Sequence, residues 1–233
     1  MILLNEGSEK NEEKNDDSRT DSVQDGMTIV RAGRSAFAVI TVIGQIEGHY
    51  KLPQDNKTTC YEHLIPMIVA AECSDKTDGI LVILNTVGGD VEAGLALAEL
   101  LAGVKKPVVS LVLGGAHSIG IPLAAAADVS LVAKSATLTV HPVRTNGLTL
   151  AAKQSFDILH DMQERIIEFV CGHSRITAQR FRELMLNSGA LTTDMGTVLG
   201  GEDAVKEGLL DKVATLSEAI DELEKLIIMR KRD

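Results

Sequence analysis

VVSLVLGGAHSIGIPLAAAA, residues 108–127, has the length to span a bilayer and carries no formal charge, so its reading decides between a membrane helix and a buried core. Gly114, Gly115, His117, Gly120 and Pro122 interrupt it, and a lipid-exposed helix gains nothing from turn formers and a polar side chain. The run therefore divides into buried pieces. VVSLVL (108–113) is β-branched and bounded by Pro107 and Gly114, which predicts a fully buried strand followed by a turn. SIGIPLAAAA (118–127) reads as a helix, since proline is tolerated in the first turns, and Ser118 falls near its N-terminal end. VSLVA (129–133) and ATLTV (136–140) return as short strands.

The pattern repeats outward. AFAVITVIG (36–44) predicts an opening strand, and GILVILNTVGG (79–89) another that runs into a glycine turn. Asp90 is a natural N-cap for the helix VEAGLALAELLAGV (91–104), whose Leu95, Leu97, Leu100 and Leu101 cover one broad side. Strands alternating with helices predict an α/β fold with a parallel sheet. A long helix is expected over 149–172, with Phe156, Leu159, Met162, Ile166 and Phe169 at steps of three and four. TAQRFRELMLNS (177–188) predicts another. EDAVKEGLLDKV (202–213) reads as a short helix, a turn at Gly208 and a strand, and LSEAIDELEKLIIMRK (216–231) as an amphipathic helix.

The 233 residues suit one domain with a real core. Hydrophobic residues make up 45% of the chain but aromatic ones only 3%, with no Trp, which favours regular α/β layers over a stacking platform for nucleic acid. The net charge of −10 repels phosphate backbones and anionic lipid, and the only basic cluster is Arg230, Lys231 and Arg232. Cys60, Cys73 and Cys171 lie far apart without a CxxC pair, which argues against a disulfide scaffold or a zinc site and suits the cytosol. From Met1 to Met27 there are eight acids against three bases. That composition predicts a disordered tail rather than an export signal, with the folded body from residue 28.

A serine becomes a nucleophile when a base takes its proton and fixed N–H groups await the oxyanion. Ser118 at a strand-to-helix turn has the position for this, although a small hydroxyl there is more often a helix cap. Gly88 and Gly89 lack the Cβ that would keep backbone N–H groups from a bound carbonyl, and they equally suit a plain turn. His141, at a strand end and fixed in extended backbone by Pro142, suits a general base or an exposed strand end. His117 is the direct neighbour of Ser118, so its side chain should point elsewhere.

These residues together resemble the ClpP family of self-compartmentalised serine proteases over about residues 36–213. ILNTVGGDVEAGLAL is similar to that family's Asn-Ser-Pro-Gly-Gly segment, and GGAHSIG to its nucleophile turn. The interval from Gly88 to Ser118 matches without a gap. The resemblance implies a spiral of β-β-α units with a protruding handle helix at about 149–172. It makes Ser118 the nucleophile, His141 the base, and the amides of Gly89 and Ile119 an oxyanion hole supported by Gly88. Aligning EDAVKEGLLDKV with the family's closing element puts Gly196 where the triad aspartate is kept, and Asp194 is the nearest carboxylate. Thr86, Val87 and His117 depart from the family pattern, as do the acidic tail and the segment 45–71.

The pattern looks most like a divergent branch of the family, the translocation-enhancing proteins. The resemblance implies a homo-oligomer of stacked rings that hydrolyses unfolded or short polypeptides in a closed chamber, linked to preprotein export and needing no metal or cofactor. The chain has no P-loop, so any ATP use belongs to a partner such as an AAA+ unfoldase, which the sequence leaves open. Two other functions stay open: a degenerate ring that binds preproteins without cutting them, and a crotonase-type acyl-CoA enzyme.

Overall fold

The computed structural model describes residues 20–24, 27–33, 35–144, 152–189 and 195–232. Its spine is a set of parallel strands, β3 (Ser35–Glu47), β5 (Gly79–Gly89), β6 (Val108–His117), β7 (Val129–Val132) and β10 (Lys212–Val213), adjacent in that order. β4 (Thr58–Cys60) pairs parallel with the end of β3. The strands are near-continuous apolar runs because both faces of the sheet are covered. On one face, Ile80, Val82 and Leu84 of β5 join a large core with α1 (Tyr61–Cys73), α2 (Val91–Ala102) and α3 (Gly120–Ala125). On the other, Leu81, Val109 and Leu111 pack on Ala219, Leu223 and Ile227 of α7 (Leu216–Arg230). Burying Leu223 and Ile227, each at most 1% exposed, contributes on the order of 1.5–3 kcal/mol apiece.

The run at 108–127 contains no spanning helix, and no helix among the described residues is long and apolar enough to cross a membrane. The expected strand, however, does not stop at Leu113: β6 continues through the two glycines to His117. Its pairing with β5 jumps from Leu84↔Val112 to Thr86↔Ala116, so β6 carries two extra residues and bends there. Up to Val112 its outer neighbour is β7; from Gly115 it is β8 (Thr137–Val140), which continues into antiparallel β9 (Thr197–Gly200). A Cβ at Gly114 would lie 2.3 Å from Asn85 Oδ1, so a larger residue there would have to move the exposed Asn85 side chain. This change of partner turns the sheet into the expected spiral.

Within the tail expected to be disordered to residue 27, β1 (Thr20–Gln24) and β2 (Met27–Ala32) pair antiparallel and extend the sheet beside β3. β-forming Thr20, Val23, Thr28 and Val30 outweigh the acidic composition; residues 1–19 lie outside the described residues. α1 had no counterpart in the sequence reading. It forms around Pro66, with Leu64, Ile68 and Ala71 buried. Lys106 Nζ donates to Ala71 O at 2.7 Å and Ser74 O at 2.6 Å, a cation on the carbonyls that close a helix.

The long helix, α4 (Ala152–Gly172), is anchored by Ile167 and Val170 while Phe156 and Ile158 near its start are exposed. It therefore projects from the body as a handle; the expected residues 149–151 are outside the described ones. α5 (Ala178–Met185) packs against it, and α6 (Gly201–Lys206) leads through Gly208 into β10.

Candidate active site

Ser118 sits where β6 ends and α3 begins. Its φ of +55° is the only left-handed one among the described residues other than glycine, a conformation that costs a non-glycine residue about 1–2 kcal/mol. The strain is held from both sides. Ser118 N donates to Thr139 O at 2.9 Å, and Ser118 O accepts from Ile121 N at 3.0 Å. Below it, Gly88 at φ +86° lets the turn pack directly against the serine: a methyl there would lie 2.8 Å from Ser118 Cβ and 2.6 Å from His117 O. Thr86 Oγ1 fixes that turn by accepting from Gly88 N at 3.0 Å. Strain kept by an over-determined surrounding marks functional positions.

Ser118, His141 and Gly89 line one cavity of about 130 Å³, whose wall is otherwise mostly apolar, with Val91, Ile121, Ile166, Phe181 and Met185. Residues 23, 29 and 52 positions from one another in sequence thus meet because β5, β6 and β8 all end at this edge. Ile119 follows Ser118 directly, is 1% exposed and is the N-cap residue of α3. Among the described residues Ser118 Oγ makes no hydrogen bond. His141 Nδ1 lies 2.7 Å from Pro142 O; a carbonyl only accepts, so Nδ1 carries the proton and Nε2 is the acceptor. Catalytic hydrogen bonds commonly tighten only when substrate is bound.

His117 points away from the serine, as its alternation in the strand requires. Its Nδ1 is 2.8 Å from Thr139 Oγ1, so Thr139 holds the turn by its carbonyl and the neighbouring ring by its hydroxyl. Burial, and after it the charge of His141, holds His117 below the ordinary imidazole range, which favours a neutral ring beside the base. Thr139 carried no sequence signal beyond its place in a strand.

The residue that the resemblance aligns with the family's triad aspartate is Gly196. The β8–β9 register runs from Thr137↔Gly200 to Val140↔Thr197, and one step further it brings Gly196 beside His141. Gly196, at φ +135°, donates its N–H to Asn187 O at 2.8 Å. Asp194 lies outside the described residues.

Two roomier hollows, of about 440 and 410 Å³, lie along β4 and α1 and between α2 and α4. The first contains Cys60, but its S–H donates to Glu47 Oε2 at 2.8 Å. That bond, then burial, pushes the thiol up to about 11, which keeps it from being a thiolate nucleophile. The second has acids, Arg165 and His173 but no hydroxyl or thiol. Among the described residues no three His, Cys, Asp or Glu side chains gather as a metal site needs.

The sequence profile of Clp protease matches residues 34–217. Translocation-enhancing protein TepA of Halalkalibacterium halodurans is 56% identical over 194 residues, covering 83% of this chain and 76% of its own. ATP-dependent Clp protease proteolytic subunit 2 of Prochlorococcus marinus is 28% identical over 155 residues, covering 64% of this chain and 73% of its own. The matched region contains the strained serine, the double-glycine turn and the histidine strand. The chain belongs to the Clp protease family.

Proposed function

We propose that the protein is a serine-type endopeptidase that hydrolyses unfolded or short polypeptides, with Ser118 as nucleophile and His141 as general base. The observation that carries this reading is Ser118 itself: a non-glycine residue held at φ +55° in a cavity shared with a histidine and the glycine turn. His141 Nε2 takes the hydroxyl proton as Oγ attacks the scissile carbonyl, and returns it to the leaving amine. The amides of Gly89 and Ile119 receive the oxyanion, with Gly88 letting the glycine turn close against Ser118. The apolar wall of Val91, Ile121, Phe181 and Met185 suits an apolar side chain next to the cleaved bond.

Family membership supports assembly of copies into stacked rings enclosing these sites, with α4 projecting between them. The likeness to a translocation-enhancing protein supports a link to preprotein export, and the likeness to an ATP-dependent proteolytic subunit leaves room for an AAA+ partner. A cytoplasmic site of action goes with this reading. The acyl-CoA alternative loses its ground, since the profile matched is that of a protease.

One point favours a second reading, a ring that binds preproteins without cutting them: the family resemblance aligns Gly196, not a carboxylate, with the triad aspartate. Denatured casein and short fluorogenic peptides separate the two. Turnover by the wild-type oligomer that Ser118→Ala abolishes is expected; tight binding with no turnover in either protein contradicts the peptidase reading.

A further inference from the structure

The position that should hold the triad acid is filled by Gly196, yet the nitrogen that such an acid would orient is already engaged. His141 Nδ1–H points at the carbonyl oxygen of the next residue, Pro142, at 2.7 Å. We propose that the Pro142 carbonyl takes the place of the triad carboxylate as the positioning group for His141. This rests on the peptidase reading and extends it to the origin of the base's tautomer.

The geometry follows from the dipeptide. A residue before proline is confined to extended backbone, and the proline ring locks its own φ. His141 leaves β8 with its backbone set, and the following carbonyl has few directions to take, one of which meets the imidazole. Pro142 is half-buried and brings no N–H of its own to compete for an acceptor. The carbonyl can only accept, so it selects the tautomer with the proton on Nδ1 and leaves the Nε2 lone pair for Ser118. What it lacks is charge. A carboxylate also stabilises the imidazolium that forms in the reaction, and a dipole does so less, so the site is built for orientation with weaker electrostatic support. His117 is kept neutral beside it, which spares the nascent imidazolium a second positive neighbour.

The test uses the assembled protein and its Asp194→Asn and Asp194→Ala variants, each with ¹⁵N-labelled histidine. Magic-angle-spinning NMR of the sedimented oligomer above the ordinary imidazole range reads the tautomer, with the His141 signals assigned by their loss in His141→Gln. Fluorophosphonate labelling of Ser118 is followed in parallel. The expected result is Nδ1–H at His141 in all three proteins, with labelling rates that differ by less than about ten-fold, against the ~10³–10⁴ loss that removal of an operating triad acid causes. A switch to Nε2–H in Asp194→Asn, or a labelling loss on that larger scale, would show that the carboxylate does the orienting and would overturn the proposal. Failure of the wild-type ring to label would overturn the peptidase reading instead. The tautomer in Asp194→Asn is readable with or without labelling and decides the role of Pro142 by itself.

Discussion

The two ends of the parallel strands are built on opposite principles. At the N-terminal ends, carboxylates accept the backbone amides that begin strands: Asp78 takes Ala36 N at 2.9 Å, Asp128 takes Val108 N at 2.7 Å, and Asp211 takes Ser130 N at 2.9 Å. The basic end of the chain closes over two of them, Arg230 lying 2.7 Å from Asp128 and Lys231 2.7 Å from Asp78. The lone basic cluster of an acidic chain is therefore a clamp on its own sheet. At the C-terminal ends, the chain keeps a strained serine, a glycine turn packed directly against it and a hydroxyl without a hydrogen bond among the described residues. Open α/β sheets bind ligands at the carboxyl ends of their strands, and the contrast separates stability from chemistry within one set of strands.

The comparison predicts that changes at the C-terminal end remove reactivity without costing stability. Ser118→Ala and His141→Ala should each lower labelling or turnover by more than about 10³-fold, with oligomer size unchanged in sedimentation. Ser118→Gly should be as inactive yet melt no lower than wild type: relief of about 1–2 kcal/mol of left-handed strain offsets the roughly 0.5–1 kcal/mol that glycine forfeits in chain entropy. A clear drop in its melting temperature would break the account of Ser118 as strained.

Gly88→Ala is the change expected to affect both properties. A methyl at φ +86° and 2.8 Å from Ser118 Cβ should cost about 2 kcal/mol or more. Calorimetry should register roughly 4–8 °C, and the displaced turn should label more slowly.

At the N-terminal end the reverse is expected. Asp128→Ala leaves Val108 N without its acceptor and should cost about 1 kcal/mol, while Ser118 labels at the wild-type rate. The smallest effect is a pH slope. Burial opposes ionisation of Asp78, but the Lys231 bond and Ala36 N–H outweigh it and hold the carboxyl below the ordinary carboxylate range. Its folded-state value is thus depressed: the stability it contributes is present above about pH 4 and lost as pH falls through the lower, folded value. Asp78→Asn should flatten the acid limb of the melting-temperature profile below about pH 4. An unchanged limb would assign that slope to other carboxylates.

Much of this division is legible in the sequence. β5, the glycine turn and α2 with its Asp90 cap run at the expected residues, Asp90 Oδ1 accepting Ala93 N at 2.8 Å, because periodicity and capping are local signals. The approach of Ser118 to His141 followed from family spacing. The extension of β6 to His117 was hidden because glycines that read as a turn serve here as a bend where the strand changes partner. α1 was hidden by Pro66, and the β1–β2 hairpin by the acids around it. The Pro142 contact is a matter of torsion angles, and only the His-Pro dipeptide hinted at it.

The central claim is that Ser118 is an activated nucleophile, and fluorophosphonate labelling with peptide mapping by mass spectrometry tests it most directly. The account predicts a single adduct on Ser118 in the wild-type oligomer, absent from Ser118→Ala and from His141→Ala. An intact oligomer that takes up no probe, or an adduct that persists in His141→Ala, would contradict it.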